Sequence, residues 1–189
     1  MAQQDKLLVL EDASIRRKIT RMAYEIIEDH VDSKHLIVAG IDGQGYALAK
    51  LLTKELKKIR SVEIEIIKVT IDKRTPEKSE VKLDLELKSL KNKPVVLVDD
   101  VLNTGKIITY AMKPFLDLGV GKMGVAVLVN RSHLLFPVRP DYTGLELSTT
   151  LTDHIEVVIG ANLPFIFTDF PHRESFAIDC LITRKCAIL

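Results

Sequence analysis

The sequence predicts an α/β protein with a central parallel β-sheet, and three observations support this fold class. Short apolar runs typical of buried strands, such as "HLIVAGI" and "PVVLV", alternate along the chain with segments of helical periodicity. Their order is strand, helix, strand, which joins neighbouring parallel strands. The 189 residues also suit one domain with its own core, and no internal repeat or long linker indicates a second.

The first half of the chain divides into elements by its apolar spacing. Residues 13–30 place apolar side chains at i, i+4, i+7 and i+8, which predicts an amphipathic helix with a basic outer face and Asp12 or Ser14 as N-cap. "HLIVAGI" predicts a buried strand, and the turn "GIDGQG" leads into a helix, "GYALAKLLTKELKKI". "SVEIEIIKVTI" alternates like a half-buried strand. The polar stretch 72–80, "DKRTPEKSE", predicts a mobile loop before a second alternating run, "VKLDLEL".

The second half continues the same alternation up to about residue 159. "PVVLV" predicts a buried strand, "TGKIITYAMKPFLDLG" a helix in spite of Pro114, and "KMGVAVLV" a further buried strand. Beyond that point the sequence has no clear period. We therefore predict one domain over residues 1–159 and a C-terminal tail over residues 160–189 without an assigned role.

Composition excludes several classes of protein. The 27 basic and 26 acidic residues give a formal charge of +1, so no global basic surface attracts nucleic acid or membrane, and an anion site must be local. Cys180 and Cys186 lack metal-ligand spacing and fit a reducing compartment. The polar start "MAQQDK" is unlike a signal peptide and no apolar run reaches membrane-spanning length, which predicts a cytoplasmic protein with no membrane partner.

Residues 95–106, "VVLVDDVLNTGK", combine a buried strand with charged chemistry at its end. In an open α/β sheet, ligands bind beyond the carboxyl ends of the strands, where Asp99 and Asp100 fall. Adjacent carboxylates repel each other unless solvent, metal or hydroxyl donors surround them, so we expect an exposed pair that suits a polyhydroxylated ligand. Residues 103–105 offer backbone N–H groups at a helix start, and Lys106 adds a cation, which together suit phosphate. The stretch predicts a sugar-phosphate site.

Other interpretations of these motifs are weaker. The stretch also fits an acidic turn with an ordinary N-cap. "GIDGQG" lacks the G-x-G-x-x-G order of a dinucleotide-binding turn, and the acidic strand end falls too late in the chain for a phosphoacceptor receiver domain. His133 and His154 are each more typical of surface or packed histidines than of metal ligands. The basic residues 16–18 and Arg21 also fit the solvated face of a helix.

The stretch "VVLVDDVLNTGK" resembles the phosphoribosyl pyrophosphate (PRPP) signature of the type I phosphoribosyltransferases. A longer resemblance is to the PyrR family, bifunctional pyrimidine-operon attenuators with uracil phosphoribosyltransferase activity. "IRRKITRMAYEIIE" is similar to that family's first helix, "VDDVLNTG" to its PRPP loop, and "AVLVNRSHLLFPVRPDYTG" to its base-side strand and following hairpin. The resemblance covers about residues 8–150.

The resemblance implies a central parallel sheet under a small hood, and a homodimer. It also implies that the protein transfers ribosyl phosphate from PRPP to a pyrimidine base such as uracil. PRPP would bring Mg²⁺ without a direct protein ligand. An alternative function is a PRPP- or nucleotide-sensing regulator that binds an mRNA leader with little catalysis. The resemblance also assigns residues to each part of PRPP. The ribose hydroxyls fall to Asp99 and Asp100, the 5-phosphate to Asn103, Thr104, Gly105 and Lys106, and pyrophosphate to Ile41, Asp42, Gly43, Gln44, Lys73 and Arg74. The base falls to Val129, Asn130 and Arg131, and RNA to Thr20, Arg21, His133 and Arg139.

This chain departs from the family pattern at both the PRPP-binding residues and the RNA-binding residues. Where the family has Gly-Ile-Lys-Thr-Arg-Gly in the pyrophosphate turn, the chain has "GIDGQG", so both cations are replaced, and Ile107 stands where the family usually has Thr. We therefore predict weak catalysis and lower affinity for PRPP. On the RNA side, Tyr24 replaces a histidine, and leucines at 134, 145 and 151 replace basic residues. Fewer phosphate contacts predict weaker RNA binding that responds less to salt.

Overall fold

The structure is a computed structural model that describes residues 5–85, 90–148, 154–160 and 177–184, with side chains for residues 9–85, 90–148 and 155–159. The helices are α1 (Asp12–Asp29), α2 (Gln44–Ile59) and α3 (Lys106–Leu118). The strands are β1 (Asp5–Leu10), β2 (His35–Ile41), β3 (Glu63–Thr70), β4 (Lys82–Leu83), β5 (Pro94–Leu102), β6 (Lys122–Asn130), β7 (Tyr142–Glu146), β8 (His154–Gly160) and β9 (Ala177–Arg184). Within these ranges no helix is both long and apolar enough to cross a bilayer.

The main sheet has the strand order β4-β3-β2-β5-β6-β7. All neighbours are parallel except β4, which runs antiparallel to β3. The units β2-α2-β3 and β5-α3-β6 connect parallel neighbours through a helix, which confirms the predicted α/β fold class. The carboxyl ends of β2, β5, β6 and β7 therefore meet at one edge of the sheet.

Alternate residues of each central strand enter two separate cores. In β2, Leu36 and Val38 pack against α1 and α2, whereas Ile37 and Ala39 face α3. The same alternation holds in β5 and β6, so both faces of the sheet are covered by helices. This arrangement explains why the central strands are continuous apolar runs rather than alternating ones.

A second sheet, which we call the hood, consists of β1, β9 and β8 in that order, all antiparallel. Ile155 and Val157 of β8 are buried in the same core cluster as α1 and α2, which joins the hood to the main body. The central strand β9 lies within the tail that the sequence left without a role. The tail thus completes the hood.

Several predicted elements are confirmed and others are wrong in detail. The three helices lie within two residues of their predicted bounds, and α3 continues through Pro114. The N-cap of α1 is Glu11 rather than Asp12 or Ser14, because the Asp12 carboxylate accepts hydrogen bonds from Arg16 Nε at 2.8 and 3.0 Å. The second alternating run forms only β4, and the rest of that run from residue 86 onward lies outside the described residues.

The strand predicted at 94–98 is longer than expected, because β5 continues to Leu102 and contains the acidic pair. The hairpin implied after the base-side strand is wrong. Residues 131–141 form neither helix nor strand, and β7 then returns parallel to β6. A parallel return forms no tight antiparallel turn, so this stretch is a loop at the edge of the sheet.

Candidate active site

The acidic pair lies at the carboxyl end of β5, but its two members differ in exposure. Asp99 is only 5 % exposed, whereas Asp100 is partly exposed. The expectation of an exposed pair is therefore wrong for Asp99. Burial and the neighbouring Asp100 carboxylate raise the pKa of Asp99 well above its ordinary value, and Lys73 opposes this shift only partly. Asp99 consequently ionises less readily in the ligand-free protein than an exposed aspartate does.

The start of α2 covers Asp99. A methyl group on Gly45 would lie 2.7 Å from Asp99 Oδ1 and 3.0 Å from its Cα, so only glycine fits between the helix and the strand. Gly40 is similarly tight, because a methyl group there would lie 2.6 Å from the Cα of Tyr46. The outer glycines of "GIDGQG" thus serve close packing of β2, α2 and β5, and this packing desolvates Asp99.

The phosphate loop, residues 103–106, joins β5 to α3. Gly105 adopts the left-handed conformation with a φ of +81°, and the backbone N–H of Lys106 donates to Thr104 Oγ1 at 3.3 Å. The carbonyl oxygen of Thr104 accepts hydrogen bonds from the N–H groups of residues 135 and 136 at 2.9 and 3.0 Å, which holds the loop in shape. A helix that starts after such a turn directs backbone donors toward an anion. Asn103 is exposed beside it.

The 72–80 loop, predicted to be mobile, has internal structure. The Asp72 carboxylate accepts bonds from Arg74 N–H at 2.9 Å and from the Thr75 hydroxyl at 2.7 Å, and Pro76 is buried. Lys73 Nζ lies 3.9 Å from Asp99 Oδ1. Glu77 Oε2 lies 2.8 Å from Lys106 Nζ. The loop therefore contacts both the acidic pair and the phosphate loop. Among the described contacts, none joins the side chain of Arg74 to either of these two groups.

The pyrophosphate turn, residues 40–45, has side-chain contacts that the family resemblance does not imply. Asp42 Oδ1 accepts the N–H of Gly43 at 2.9 Å and lies 3.7 Å from Lys68 Nζ. Gln44 Oε1 accepts the backbone N–H of Ile159 in β8 at 2.9 Å, so the Gln44 side chain is committed to the hood. The Asp42 carboxylate thus occupies the backbone N–H of Gly43, which is one of the turn's own hydrogen-bond donors.

The three predicted base-binding residues lie at the end of β6 and just beyond it. The side chain of Val129 is fully buried in the core, and Asn130 and Arg131 are 7 % and 5 % exposed. Asn130 Oδ1 accepts the N–H of Ser132 at 3.1 Å, and Ser132 has a φ of +57°. A cavity of about 340 Å³ opens beside them, lined by Asn130, Ser132, Leu134, Arg139, Pro140 and Glu146. Of the three residues, only Asn130 lines this cavity.

The predicted RNA-binding residues do not form one basic surface. The Arg21 guanidinium donates to the backbone carbonyl oxygens of Thr143 and Gly144 and pairs with Glu25, which ties α1 to β7. The groove of about 600 Å³ beside it is lined mainly by acidic side chains, namely Glu25, Glu28, Asp29, Asp141 and Glu146. Thr20 is partly exposed on α1, and His133 and Arg139 lie on the 131–141 loop. Leu151 lies outside the described residues.

The sequence placed Gly45 in the pyrophosphate turn but did not predict that it packs against Asp99. Sequence reasoning missed Glu77, which pairs with Lys106. Glu77 gave no signal, because its partner Lys106 is far away along the chain. Among the described side chains, no group of three or more His, Cys, Asp or Glu is placed to hold a metal ion.

Fold and site together define a phosphoribosyltransferase of the type I class. The family model "Phosphoribosyl transferase domain" matches residues 9–165. The fold is similar to that of a hypoxanthine-guanine phosphoribosyltransferase from Bacillus anthracis, with a TM-score of 0.65 and 16 % identity over 93 % of this chain and 96 % of that chain.

Sequence comparison is more specific. The chain is 34 % identical over 160 residues to the bifunctional protein PyrR of Limosilactobacillus reuteri, covering 80 % of this chain and 90 % of the relative. It is 32 % identical over 186 residues to the protein of the same name in Listeria monocytogenes, covering 93 % and 97 %. The chain belongs to the PyrR family.

Proposed function

We propose that the chain transfers the ribosyl phosphate of PRPP to a ring nitrogen of a pyrimidine base, with uracil as the expected base, and releases pyrophosphate. One observation carries this proposal. The buried Asp99, the more exposed Asp100 and the phosphate loop with Lys106 are contiguous at the carboxyl edge of a parallel sheet. Ligands of open α/β sheets bind at this edge. The family membership supports the reaction class.

Each part of the substrate has a complementary group in this arrangement. Asp99 and Asp100 would accept hydrogen bonds from the ribose 2- and 3-hydroxyls, and residues 103–106 would hold the 5-phosphate. Residues 41–44 with Lys73 and Arg74 would face pyrophosphate. The cavity lined by Asn130 offers polar and apolar walls for a base.

The electrostatics of the acidic pair suit the reaction. As the bond from the ribose carbon to pyrophosphate breaks, the sugar gains positive charge, and the bond to the base nitrogen forms while that nitrogen loses its proton. Burial raises the pKa of Asp99, so its carboxyl ionises less readily in the empty site and more readily when positive charge develops on the sugar beside it.

Mg²⁺ is the metal that this class of reaction implies. We expect PRPP to bring the ion, which would take its ligands from substrate oxygens and water, and no residue of the chain is assigned as a direct ligand. When bound, the ion would neutralise charge on the departing pyrophosphate. The protein's own part is to position the sugar and to exclude water as the 72–80 loop closes.

The proposal is tested by mixing the purified protein with PRPP, Mg²⁺ and each nucleobase in turn, and by measuring pyrophosphate release. We expect release with uracil above all others, at a rate below that of ordinary enzymes of the class. Asp99→Asn and Asp100→Asn should each weaken PRPP binding while leaving the protein folded. No release with any base and no PRPP binding would refute the proposed activity.

RNA binding is the second function that the family suggests, and we propose that it is weak in this chain. Arg21 is already bonded to β7 and to Glu25, and the neighbouring groove is acidic, which repels phosphate. Titration of a pyrimidine-leader RNA at several salt concentrations tests this. Nanomolar affinity with a steep salt dependence would contradict it. The predicted homodimer is tested by sedimentation of the purified protein.

A further inference from the structure

The 72–80 loop places opposite charges on the two halves of the candidate site. Lys73 Nζ lies 3.9 Å from Asp99 Oδ1, and Glu77 Oε2 lies 2.8 Å from Lys106 Nζ. The loop thus presents a nitrogen donor to the acidic pair and an anion to the cation of the phosphate loop. A sugar phosphate presents the same two features to the same two places, as hydroxyl donors and as a phosphate.

The loop is shaped to hold this position. Asp72 accepts bonds from the N–H of Arg74 and from the Thr75 hydroxyl, the Lys78 N–H donates to the Thr75 carbonyl oxygen at 3.0 Å, and Pro76 between them is buried. This turn fixes the spacing between Lys73 and Glu77. The hydrogen bond from Lys106 lowers the pKa of Glu77, so Glu77 is ionised at neutral pH.

We propose that Lys73 and Glu77 form an internal substrate mimic, in which the empty site is occupied by the protein's own loop and PRPP must displace Glu77 from Lys106 in order to bind. This inference rests on the proposed function. It assigns Glu77 a role opposite to that of the loop's cations, since its carboxylate competes with the ligand phosphate for one ammonium group. Release of Glu77 would also free the loop to close over pyrophosphate.

The size of the effect follows from exposure. The side chains of Lys106 and Glu77 are 37 % and 38 % exposed, so water screens their attraction and the competition is modest. Exposed pairs of this kind change equilibria by about two- to fivefold. Glu77 therefore weakens ligand binding moderately and does not prevent it.

The test compares Glu77→Gln with wild type and with Glu80→Gln, which removes an exposed carboxylate from the same loop outside the site. Binding of ribose 5-phosphate, measured by calorimetry without a base, should be about two- to fivefold tighter in Glu77→Gln and unchanged in Glu80→Gln. In turnover assays, Glu77→Gln should lower KM for PRPP while kcat stays the same. Trypsin, which cuts after Lys73, Arg74 and Lys78, should also cleave the ligand-free Glu77→Gln loop faster.

The outcomes separate the two proposals. Ribose 5-phosphate affinity that is equal or weaker in Glu77→Gln, with a wild type that binds PRPP and turns it over, overturns the internal mimic alone. An equal gain in Glu80→Gln also overturns it, since general loop charge would then explain the result. A wild type that binds neither PRPP nor ribose 5-phosphate overturns the proposed function and this inference with it.

Discussion

The pyrophosphate turn after β2 and the phosphate loop after β5 share their backbone design but differ in the source of the charge that opposes an anion. Each follows a strand of the same parallel sheet, precedes a helix and contains a glycine with positive φ, Gly43 at +93° and Gly105 at +81°. In the pyrophosphate turn the opposing carboxylate, Asp42, belongs to the turn itself and bonds to Gly43 N–H. In the phosphate loop it is Glu77, carried by a separate loop.

The same turn geometry can therefore be opened to an anion where a separate loop carries the opposing carboxylate, but less easily where the turn itself carries it. Glu77 leaves with its loop, so the phosphate loop regains a free cation when a ligand competes. Asp42 has no such route, because its own backbone holds it beside Gly43. Gln44, meanwhile, is bonded to the hood through Ile159. We therefore expect the phosphate loop to bind its anion more strongly than the pyrophosphate turn does.

The largest expected effect is on the binding side of this comparison. Lys106→Met keeps the aliphatic stem and removes the ammonium group, so the 5-phosphate loses a charged hydrogen bond worth about 1.5–3 kcal/mol. We expect PRPP to bind about 10- to 150-fold more weakly by calorimetry. Lys113→Met, an exposed lysine on the same helix, is the matched control and should bind normally. Equal losses in both variants would remove the special role of Lys106.

The next largest effect is expected when a substitution reverses the charge at position 42 of the pyrophosphate turn. Asp42→Lys removes a carboxylate, frees the Gly43 N–H and supplies a cation where pyrophosphate departs, so kcat/KM for PRPP should rise about tenfold. Asp42→Asn removes only the negative charge and should give a smaller gain. The order of preference among bases should not change in either variant.

A wild type that already turns over at about 1 to 10³ per second, together with no gain in Asp42→Lys, would show that the turn is not the weak point. The substitution is made alone, because Gln44→Arg would put a group with donors only where β8 needs an acceptor.

The third prediction tests the hydrogen bond between Gln44 of the pyrophosphate turn and the hood. Gln44→Leu leaves the N–H of Ile159 without its acceptor, which should cost about 1 kcal/mol and lower the melting temperature by about 2–4 °C. Gln44→Glu keeps an oxygen acceptor at the same distance and should melt near wild type. If Gln44→Leu and Gln44→Glu melt alike, the hydrogen bond to the hood contributes nothing measurable.

The smallest expected effect concerns Asp99, next to the phosphate loop, with Asp42 of the pyrophosphate turn as its control. The folded-state pKa of Asp99 is raised by burial, so ionising this group in the fold costs stability. That cost is absent at pH values below 3.8, the ordinary value, and grows as the pH rises. Asp99→Asn should therefore melt slightly higher than wild type at pH 7–8, by less than the change expected for Gln44→Leu, and the difference should vanish near pH 4.

Asp42→Asn is the control for this pH dependence, because the Asp42 side chain is 48 % exposed, whereas Asp99 is buried. It should show no comparable gain at pH 7–8. Thermal melts of both variants across pH 4–8 measure the difference. A lower melting temperature for Asp99→Asn at neutral pH would mean that the Asp99 carboxylate stabilises the empty fold.

The amino-acid sequence alone determined the helices, the central strands and the position of the acidic pair near the end of one strand. Apolar spacing located the three helices and the central strands, because helical and extended backbones repeat their side-chain directions at different periods. The acidic pair and the phosphate loop were also predictable, since both lie in one stretch of twelve residues whose local geometry brings them to the end of one strand.

Only the tertiary structure decided the contacts between distant parts of the chain. It buries Asp99 under Gly45, bonds Gln44 to Ile159, pairs Glu77 with Lys106 and places β9 between β1 and β8. It also engages Arg21 with β7 instead of leaving it for RNA. Each of these joins residues that the sequence keeps apart, and local patterns carry no information about which partners packing will bring together. Side-chain type predicted the chemistry available to the chain, whereas burial and long-range pairing set the protonation and accessibility of each group.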